Sequence, residues 1–293
     1  MATEDADPRY RELDTWPDAE ILAALLESQA RAVAAVRQAL PQLAQAADKG
    51  AEVLRAGGRW AYAGAGTSGR IALQDGVELV PTFGLDPERL LYLIAGGKPA
   101  LTEAVEGAED DSRAGAQAVR EAGLGAQDLL IALAASGKTP FTLAALKSAR
   151  EQGAFTIGIA NNAASPLLES ADLAILLDTG PEVLTGSTRL SAGTAQKIAL
   201  NLFSTLAMIR FGKTYGNLMV GLKPTNAKLW ARATSLVAQI AGCDPINAAQ
   251  YLQRSGGQVN LAVLLARGLD LATAQGLLAQ SGGNLRRALG SGD

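Results

Sequence analysis

The sequence lacks several residues on which common active sites depend. It contains no histidine among its 293 residues, which excludes the Ser-His-Asp triad, histidine-ligated metal centres and a histidine general base. Its single cysteine, Cys243, excludes both an intrachain disulfide framework and a zinc cluster built from cysteines. If the chain is an enzyme, proton transfer therefore depends on Glu, Asp, Lys or Tyr side chains, or on groups of the substrate.

Further absences concern partners and location. With a net charge of −3, 4% aromatic residues and no basic block, the composition argues against nucleic acid as a partner. No run of about 18 apolar residues is present, so we expect no membrane partner. The acidic segment 1–7 has no apolar signal region, which favours a cytoplasmic location.

The distribution of apolar residues predicts three regions. Residues 1–57 have helical periodicity and form an N-terminal helical arm, a packing or dimer-building element. Residues 58–222 form the central domain. Residues 223–293 form a small helical module that resembles ubiquitin-associated (UBA-like) domains, with a partial repeat in which the segment 252–257 is echoed by 278–283.

The central domain alternates short apolar runs with amphipathic stretches, which is typical of βαβ units. We predict an α/β fold in three αβα layers, with a parallel sheet flanked by helices. Right-handed crossovers then bring the loops that follow the strands to one edge of the sheet, where ligands of such folds bind. The predicted strands are the runs 60–63, 90–95, 129–134, 155–160 and 173–177.

Three of these loops are rich in glycine and hydroxyl side chains. The first, 64–70, reads GAGTSGR, and the second, 134–140, reads AASGKTP; each precedes a predicted helix. Backbone N–H groups at a helix N-terminus, together with Ser and Thr hydroxyls, form an anion site. A third loop, 180–189, adds hydroxyls, Glu182 and Arg189.

A dinucleotide site is an alternative, because Gly64–Gly69 fits the G-x-G-x-x-G pattern. Such a site needs an acidic residue at the end of the second strand, to bind the ribose. That strand ends in Ala95-Gly96-Gly97, which contains no acid, and the Walker pattern is absent. Two Ser/Thr loops at neighbouring strand ends instead favour a sugar phosphate.

The loops resemble those of the sugar isomerase (SIS) domain, and the wider motif set is similar to that of the N-acetylmuramic acid 6-phosphate etherase family. The resemblance covers most of the chain, from Thr3-Glu4 to the C-terminal helices. The segments that carry it are 64–70, 81–84, 94–97, 107–110, 134–140, 180–197 and 212–220.

The resemblance implies an activity: cleavage of the D-lactyl ether of N-acetylmuramic acid 6-phosphate by elimination and water addition, without a cofactor or metal. It also implies a homodimer. The family's catalytic acid falls on Glu78, about two and a half helical turns past the first loop, where we expect apolar neighbours to raise its pKa. The second family glutamate, the expected base, falls on Glu109. The expected substrate- and phosphate-binding residues are Gly66, Thr67, Ser68, Gly69, Arg70, Ser136, Gly137, Lys138, Thr139, Glu182, Ser187, Thr188 and Lys197.

The chain departs from the family pattern around the expected acid. The usual Ser before it is Val77, the usual Cys and first Pro after it are Leu79 and Val80, and Lys138 replaces the more usual Arg. Two other functional hypotheses stay open. The chain could be an aldose–ketose isomerase that uses Glu182 to move a proton, or a non-catalytic phosphosugar sensor. Without the resemblance, Glu78 is also consistent with a carboxylate on a helix surface. Glu109 is also consistent with an acid that caps a helix.

Overall fold

A computed structural model describes residues 2–290 and contains the predicted parallel sheet. The strand order is β2-β1-β3-β4-β5, and every pairing in this sheet is parallel. The prediction of an α/β fold is therefore confirmed. The five strands are β1 (Trp60–Gly64), β2 (Leu90–Ile94), β3 (Leu129–Leu133), β4 (Phe155–Ala160) and β5 (Leu173–Leu176).

Helices precede, connect and follow the strands. The α-helices up to residue 210 are α1 (Asp18–Gln38), α2 (Leu40–Arg55), α3 (Gly66–Phe83), α4 (Ser112–Glu121), α5 (Pro140–Glu151), α6 (Pro166–Ser170) and α7 (Ser191–Arg210). The rest of the chain forms a short antiparallel pair, β6 (Thr214–Tyr215) and β7 (Leu218–Met219), then α8 (Ala227–Ala241), α9 (Pro245–Arg254), α10 (Val259–Ala266), α11 (Leu271–Gln280) and α12 (Leu285–Ala288).

The strand order determines where a ligand binds. From β1 the chain moves to β2 on one side and then returns to place β3 on the other side of β1. The loops after β1 and β3 therefore diverge at a topological switch point, and the crevice outside these strand ends is the usual ligand site of an open α/β sheet.

The sheet has a core on both faces, as a parallel sheet requires. On one face of β1, Trp60 packs against Phe203 with 4.9 Å between ring centroids, and its indole N–H donates to the Gly50 oxygen at 3.1 Å. On the other, Ala61 and Ala63 join a buried cluster with residues of α4 and α5. All residues of β1 and β3 are buried, so the loops that follow them extend from a fixed framework.

By compactness the chain divides into two units, one of residues 1–76 and 88–204 and the other of 77–87 and 205–293. The second unit has its own core, in which residues of α8, α9, α10 and α11 pack together. The division into three regions, with boundaries at 57/58 and 222/223, stays a prediction. The cytoplasmic location also stays a prediction. Across residues 2–290, no helix combines the length and the apolar character needed to cross a membrane.

Candidate functional site

The first loop joins β1 to α3 and depends on two glycines that lie against each other. A Cβ atom added to Gly64 would lie 3.0 Å from the Gly69 Cα atom, and one added to Gly69 would lie 2.9 Å from the Gly64 oxygen. This close turn brings the start of α3 to the end of β1. The first N–H groups of a helix have no acceptor within it, so those near Thr67 and Ser68 favour an anion.

The second loop joins β3 to α5. The Ser136 hydroxyl accepts a hydrogen bond from the backbone N–H of Lys138 at 3.1 Å, which forms a local turn. Gly137 has a φ of +65°, and a Cβ atom there would lie 2.2 Å from the Ser165 hydroxyl oxygen. Gly137 thus shapes the loop and does not line the pocket described next.

Both loops line one pocket of about 370 Å³, and the lining lies wholly within the first unit. The arrangement confirms that the two Ser/Thr loops meet at the switch point. The lining residues are Ala65, Gly66, Thr67, Ser68, Ala134, Ala135, Ser136, Lys138, Thr139 and Pro140 from the two loops, with Glu4, Glu109, Asp110 and Thr188 from other segments. Seven predicted binding residues and one predicted catalytic residue are among them.

Glu109 is exposed and lies in a single turn of 3₁₀-helix, Ala108–Asp110. It is not the capping residue of α4, because the Asp111 carboxylate accepts the Ala114 N–H at 2.9 Å and fills that role. Glu109 also lines an adjoining pocket of about 230 Å³. Its carboxylate is therefore placed to meet a ligand of the first pocket.

Glu4 is a pocket residue that the sequence analysis did not single out. It follows Thr3, which is fully buried and paired with Asn162: the Asn162 side-chain amide donates to the Thr3 hydroxyl at 2.8 Å, and the Thr3 N–H donates to the Asn162 side-chain oxygen at 3.3 Å. The same amide donates to the Ala135 oxygen of the second loop. The signal in the sequence is Asn161-Asn162, an amide pair directly after β4. Although Glu4, Glu109 and Asp110 all line the pocket, no metal-holding cluster of three or more His, Cys, Asp or Glu side chains occurs in the described part of the chain.

Glu182 does not line this pocket, and its expected contact with the substrate stays a prediction. It is fully buried, and both carboxylate oxygens are engaged at the N-terminus of α7. One accepts the N–H of Ser191 at 3.0 Å and its hydroxyl at 2.6 Å, and the other accepts the Ala192 N–H at 2.9 Å. Glu182 thus stabilises the start of a helix. The isomerase hypothesis needs a carboxylate that is free to move a proton, and both oxygens of Glu182 already accept hydrogen bonds.

Arg70 makes its hydrogen bonds to backbone groups of the segment that follows β2, and its expected role at the phosphate stays a prediction. Its guanidinium donates to the backbone oxygens of Ala100 and Glu103, both at 3.0 Å. It lines the adjoining pocket and not the first one. Arg70 thus holds the segment that follows β2 and leads toward Glu109.

Several other predicted residues lie outside the lining of the first pocket: Gly69, Ser187, Lys197 and Glu78. Glu78 is exposed on α3. Of the three apolar neighbours expected to bury its carboxyl, Leu79 is buried but Val77 is 44% exposed. Among the described residues the Glu78 side chain is thus exposed, and its role as the catalytic acid stays a prediction.

Asp75 is a buried carboxyl that the sequence analysis did not identify. It accepts hydrogen bonds from the hydroxyls of Tyr62 (3.0 Å) and Ser204 (2.9 Å) and from the Asn201 amide (3.1 Å). Burial raises its pKa, and these hydrogen bonds partly oppose that rise. Asp75 joins α3 to β1 and α7, and so fixes the helix whose first turn lines the first pocket.

Comparisons with known proteins identify the family of the central domain. Residues 38–150 match the family described as glucokinase regulatory protein N-terminal SIS domain, and residues 113–209 match the SIS domain family. These two segments together contain the loops after β1, β2, β3 and β5.

Similar proteins align with nearly the whole chain. An N-acetylmuramic acid 6-phosphate etherase of Deinococcus radiodurans is 50% identical over 292 residues, which cover 99% of this chain and 96% of that protein. Proteins of the same name from Rubrobacter xylanophilus and Salmonella choleraesuis are each 44% identical, covering 100% and 99% of this chain and 97% and 98% of their own lengths.

Proposed function

Because the chain belongs to the N-acetylmuramic acid 6-phosphate etherase family, we propose that it cleaves the D-lactyl ether of N-acetylmuramic acid 6-phosphate. The products are N-acetylglucosamine 6-phosphate and D-lactate, an activity of cell-wall amino-sugar catabolism. The observation that carries the proposal is the pocket in which two Ser/Thr loops meet and Glu109 reaches the same space.

The two loops supply the site for the 6-phosphate. The start of α3 offers backbone N–H groups and the positive end of its helix dipole. Ser68, Ser136 and Thr139 add hydroxyl donors, and Lys138 adds a positive charge, all on the lining of one pocket. These groups match a phosphate monoester in charge and in hydrogen-bonding type.

The ether becomes cleavable once the sugar ring opens, because an aldehyde at C1 makes the C2 proton acidic. Glu109 removes that proton, and the C3–O bond to the lactyl group breaks as Glu78 protonates the departing oxygen. Water then adds across the C2–C3 double bond and restores the C3 hydroxyl. Elimination leaves Glu109 protonated and Glu78 ionised. The addition of water reverses both changes, because Glu78 accepts a proton from the water and Glu109 returns one to C2, so two glutamates are sufficient and no redox partner is needed.

The pocket of one chain is lined by Glu109 but not by Glu78. We therefore infer a homodimer in which the second copy contributes its own Glu78 to this pocket, where the interface buries the Glu78 carboxyl. Helix α1 presents an apolar surface that a second copy would cover, with Leu22, Leu26 and Val33 exposed by 66%, 73% and 51%. Dimer formation would also provide the apolar surroundings that a general acid needs.

The test is to incubate the chain with N-acetylmuramic acid 6-phosphate in ²H₂O and to measure D-lactate. We expect stoichiometric D-lactate and one deuterium at C2 of the sugar product, because the C2 proton is exchanged during elimination and addition. Glu78→Gln should abolish release, whereas Glu151→Gln, an exposed glutamate at the end of α5, should not. If a phosphosugar raises the melting temperature but no lactate forms, the chain is a sensor and the etherase proposal fails.

A further inference from the structure

The second compact unit contains a cavity of about 330 Å³ that the proposed etherase site does not use. Part of its lining comes from 211–213 and 220–224, which flank the β6–β7 hairpin. Another part comes from the glycine pairs 256–257 and 282–283, which belong to the two copies of the internal repeat. The glycine turns of both copies of the repeat therefore line the same cavity.

The charge around this cavity has one sign. Lys213 and Lys223 are its ionisable residues, Gln258 and Asn260 add side-chain amides, and no Asp or Glu is part of the lining. Within residues 2–290, no carboxylate forms an ion pair with either lysine. Two cations therefore share the cavity without a countercharge from the described protein.

Lys213 is the more enclosed of the two lysines. It is half-buried, and its ammonium group lies 5.2 Å from the centroid of the Phe211 ring. Burial, and then the charge of Lys223, lower the pKa of Lys213. An anion in the cavity would oppose both effects, because it replaces lost hydration and screens the repulsion between the two cations.

Hydrogen bonds hold the two glycine turns that line the cavity. The Gly257 N–H donates to the Leu252 oxygen at 2.9 Å, and the Gly283 N–H donates to the Leu278 oxygen at 2.7 Å, so each turn terminates its own helix. The Asn260 amide donates to the Gly283 oxygen at 3.4 Å and connects the two turns. Cβ atoms added to Gly256 or Gly282 would meet no atom within 4 Å. These turns use glycine for its positive φ and leave the space in front of them open.

We propose that this cavity binds a phosphate group, as inorganic phosphate or as the phosphate of a small sugar. Two lysine charges match the charge of a phosphate dianion, and lysine binds phosphate as a point charge without the planar geometry of arginine. The cavity is similar in volume to the proposed catalytic pocket, so a hexose phosphate fits by size. Lys213 provides the main contact and Lys223, which is exposed, the second.

The test separates this cavity from the first pocket. In a chain carrying Ser68→Ala and Ser136→Ala, inorganic phosphate and glucose 6-phosphate are titrated separately by calorimetry at constant ionic strength. We expect Lys213→Met to weaken binding about tenfold, the usual effect of losing one charge-assisted hydrogen bond, and Lys223→Met about threefold. Arg232→Met removes an exposed charge of the same unit outside the lining and should leave affinity unchanged.

A second readout uses the lysine itself. In a ¹³C-dimethyl-lysine NMR titration, the pKa of Lys213 should rise toward its ordinary value when phosphate is added. If Lys213→Met does not fold, Lys223→Glu at the exposed position must abolish binding instead. The proposal is overturned if neither ligand binds, or if the lysine variants bind as tightly as Arg232→Met. Binding of only one of the two ligands supports it and identifies the source of the phosphate.

Discussion

Glu109 and Glu182 both follow strands of the same parallel sheet, yet the structure gives them opposite environments. Glu109 is exposed, lines the pocket and leaves helix capping to Asp111. Glu182 is fully buried, with both oxygens engaged by Ser191 and Ala192. The contrast shows that a carboxylate in a loop at the ligand edge is not for that reason a catalytic group. What distinguishes the two is whether backbone N–H groups already occupy the oxygens.

The largest expected effect comes from the free carboxylate. Glu109→Gln keeps the shape of the side chain but removes the proposed base, so kcat for lactate release should fall by about 10³-fold. The free energy of unfolding should stay within about 0.5 kcal/mol, because the side chain is exposed. Lactate release and urea denaturation measure the two quantities.

The matched control is Glu106→Gln, an exposed glutamate of the same segment that lies outside the first pocket. It should retain lactate release within about twofold. Equal losses in both variants would mean that the segment as a whole, and not the Glu109 carboxylate, supports turnover.

The next largest effect is expected from Glu182, whose replacement should change the free energy of unfolding more than kcat. Glu182→Ala leaves the buried N–H groups of Ser191 and Ala192 without their acceptors, so unfolding should become easier by about 3 kcal/mol. Glu182→Gln, which keeps one acceptor oxygen, should lose less. At a temperature where both variants are folded, kcat should change no more than about threefold. A loss of activity comparable to that of Glu109→Gln, at unchanged stability, would restore Glu182 as a reacting group.

This contrast also marks how far the sequence could predict the site. The alternation of apolar runs correctly predicted all five strands, because a buried parallel strand needs a continuous apolar segment. The loops after β1 and β3 were correctly placed together, because crossover handedness leaves one arrangement. The hydrogen-bond partners of a single side chain cannot be predicted in this way. Glu182 and Arg70 have long, flexible side chains, and only the packed backbone determines whether they reach a ligand or the carbonyl and amide groups nearby.

Glu4 and Asp75 illustrate the same limit for residues that the sequence analysis missed. Glu4 enters the pocket through a pairing between Thr3 and Asn162, which are 159 positions apart. Asp75 is one of several polar residues on α3, and its burial depends on partners from β1 and α7. Such contacts follow from the assembled fold, and a local pattern such as Asn161-Asn162 does not identify the distant partner.

A smaller effect is expected from Asp75, which is buried like Glu182 but receives its hydrogen bonds from side chains alone. Burial raises its pKa above the ordinary value of 3.8 despite those bonds. The native state therefore holds this proton more tightly than the unfolded state, and stability falls as the pH rises from 3.8 through the raised pKa. Asp75→Asn removes that dependence.

Urea denaturation of both proteins over a pH series measures this effect. The free energy of unfolding of the Asp75→Asn variant, minus that of the wild type, should increase with pH across that window. A difference that stays constant with pH would show that the hydrogen bonds from Tyr62, Asn201 and Ser204 fully offset the cost of burial.

The smallest effect concerns Lys138, which lines the pocket and whose backbone N–H donates to the Ser136 hydroxyl. The resemblance described in the sequence analysis implies Arg as the more usual residue here, and a guanidinium can bind two phosphate oxygens at once. Lys138→Arg should therefore lower KM about threefold with kcat unchanged, because the added contact is the same in the ground state and the transition state. Lys147→Arg, on the exposed side of α5, is the matched control. If kcat changes as well, position 138 contacts the reacting part of the sugar and the phosphate anchor lies elsewhere in the two loops.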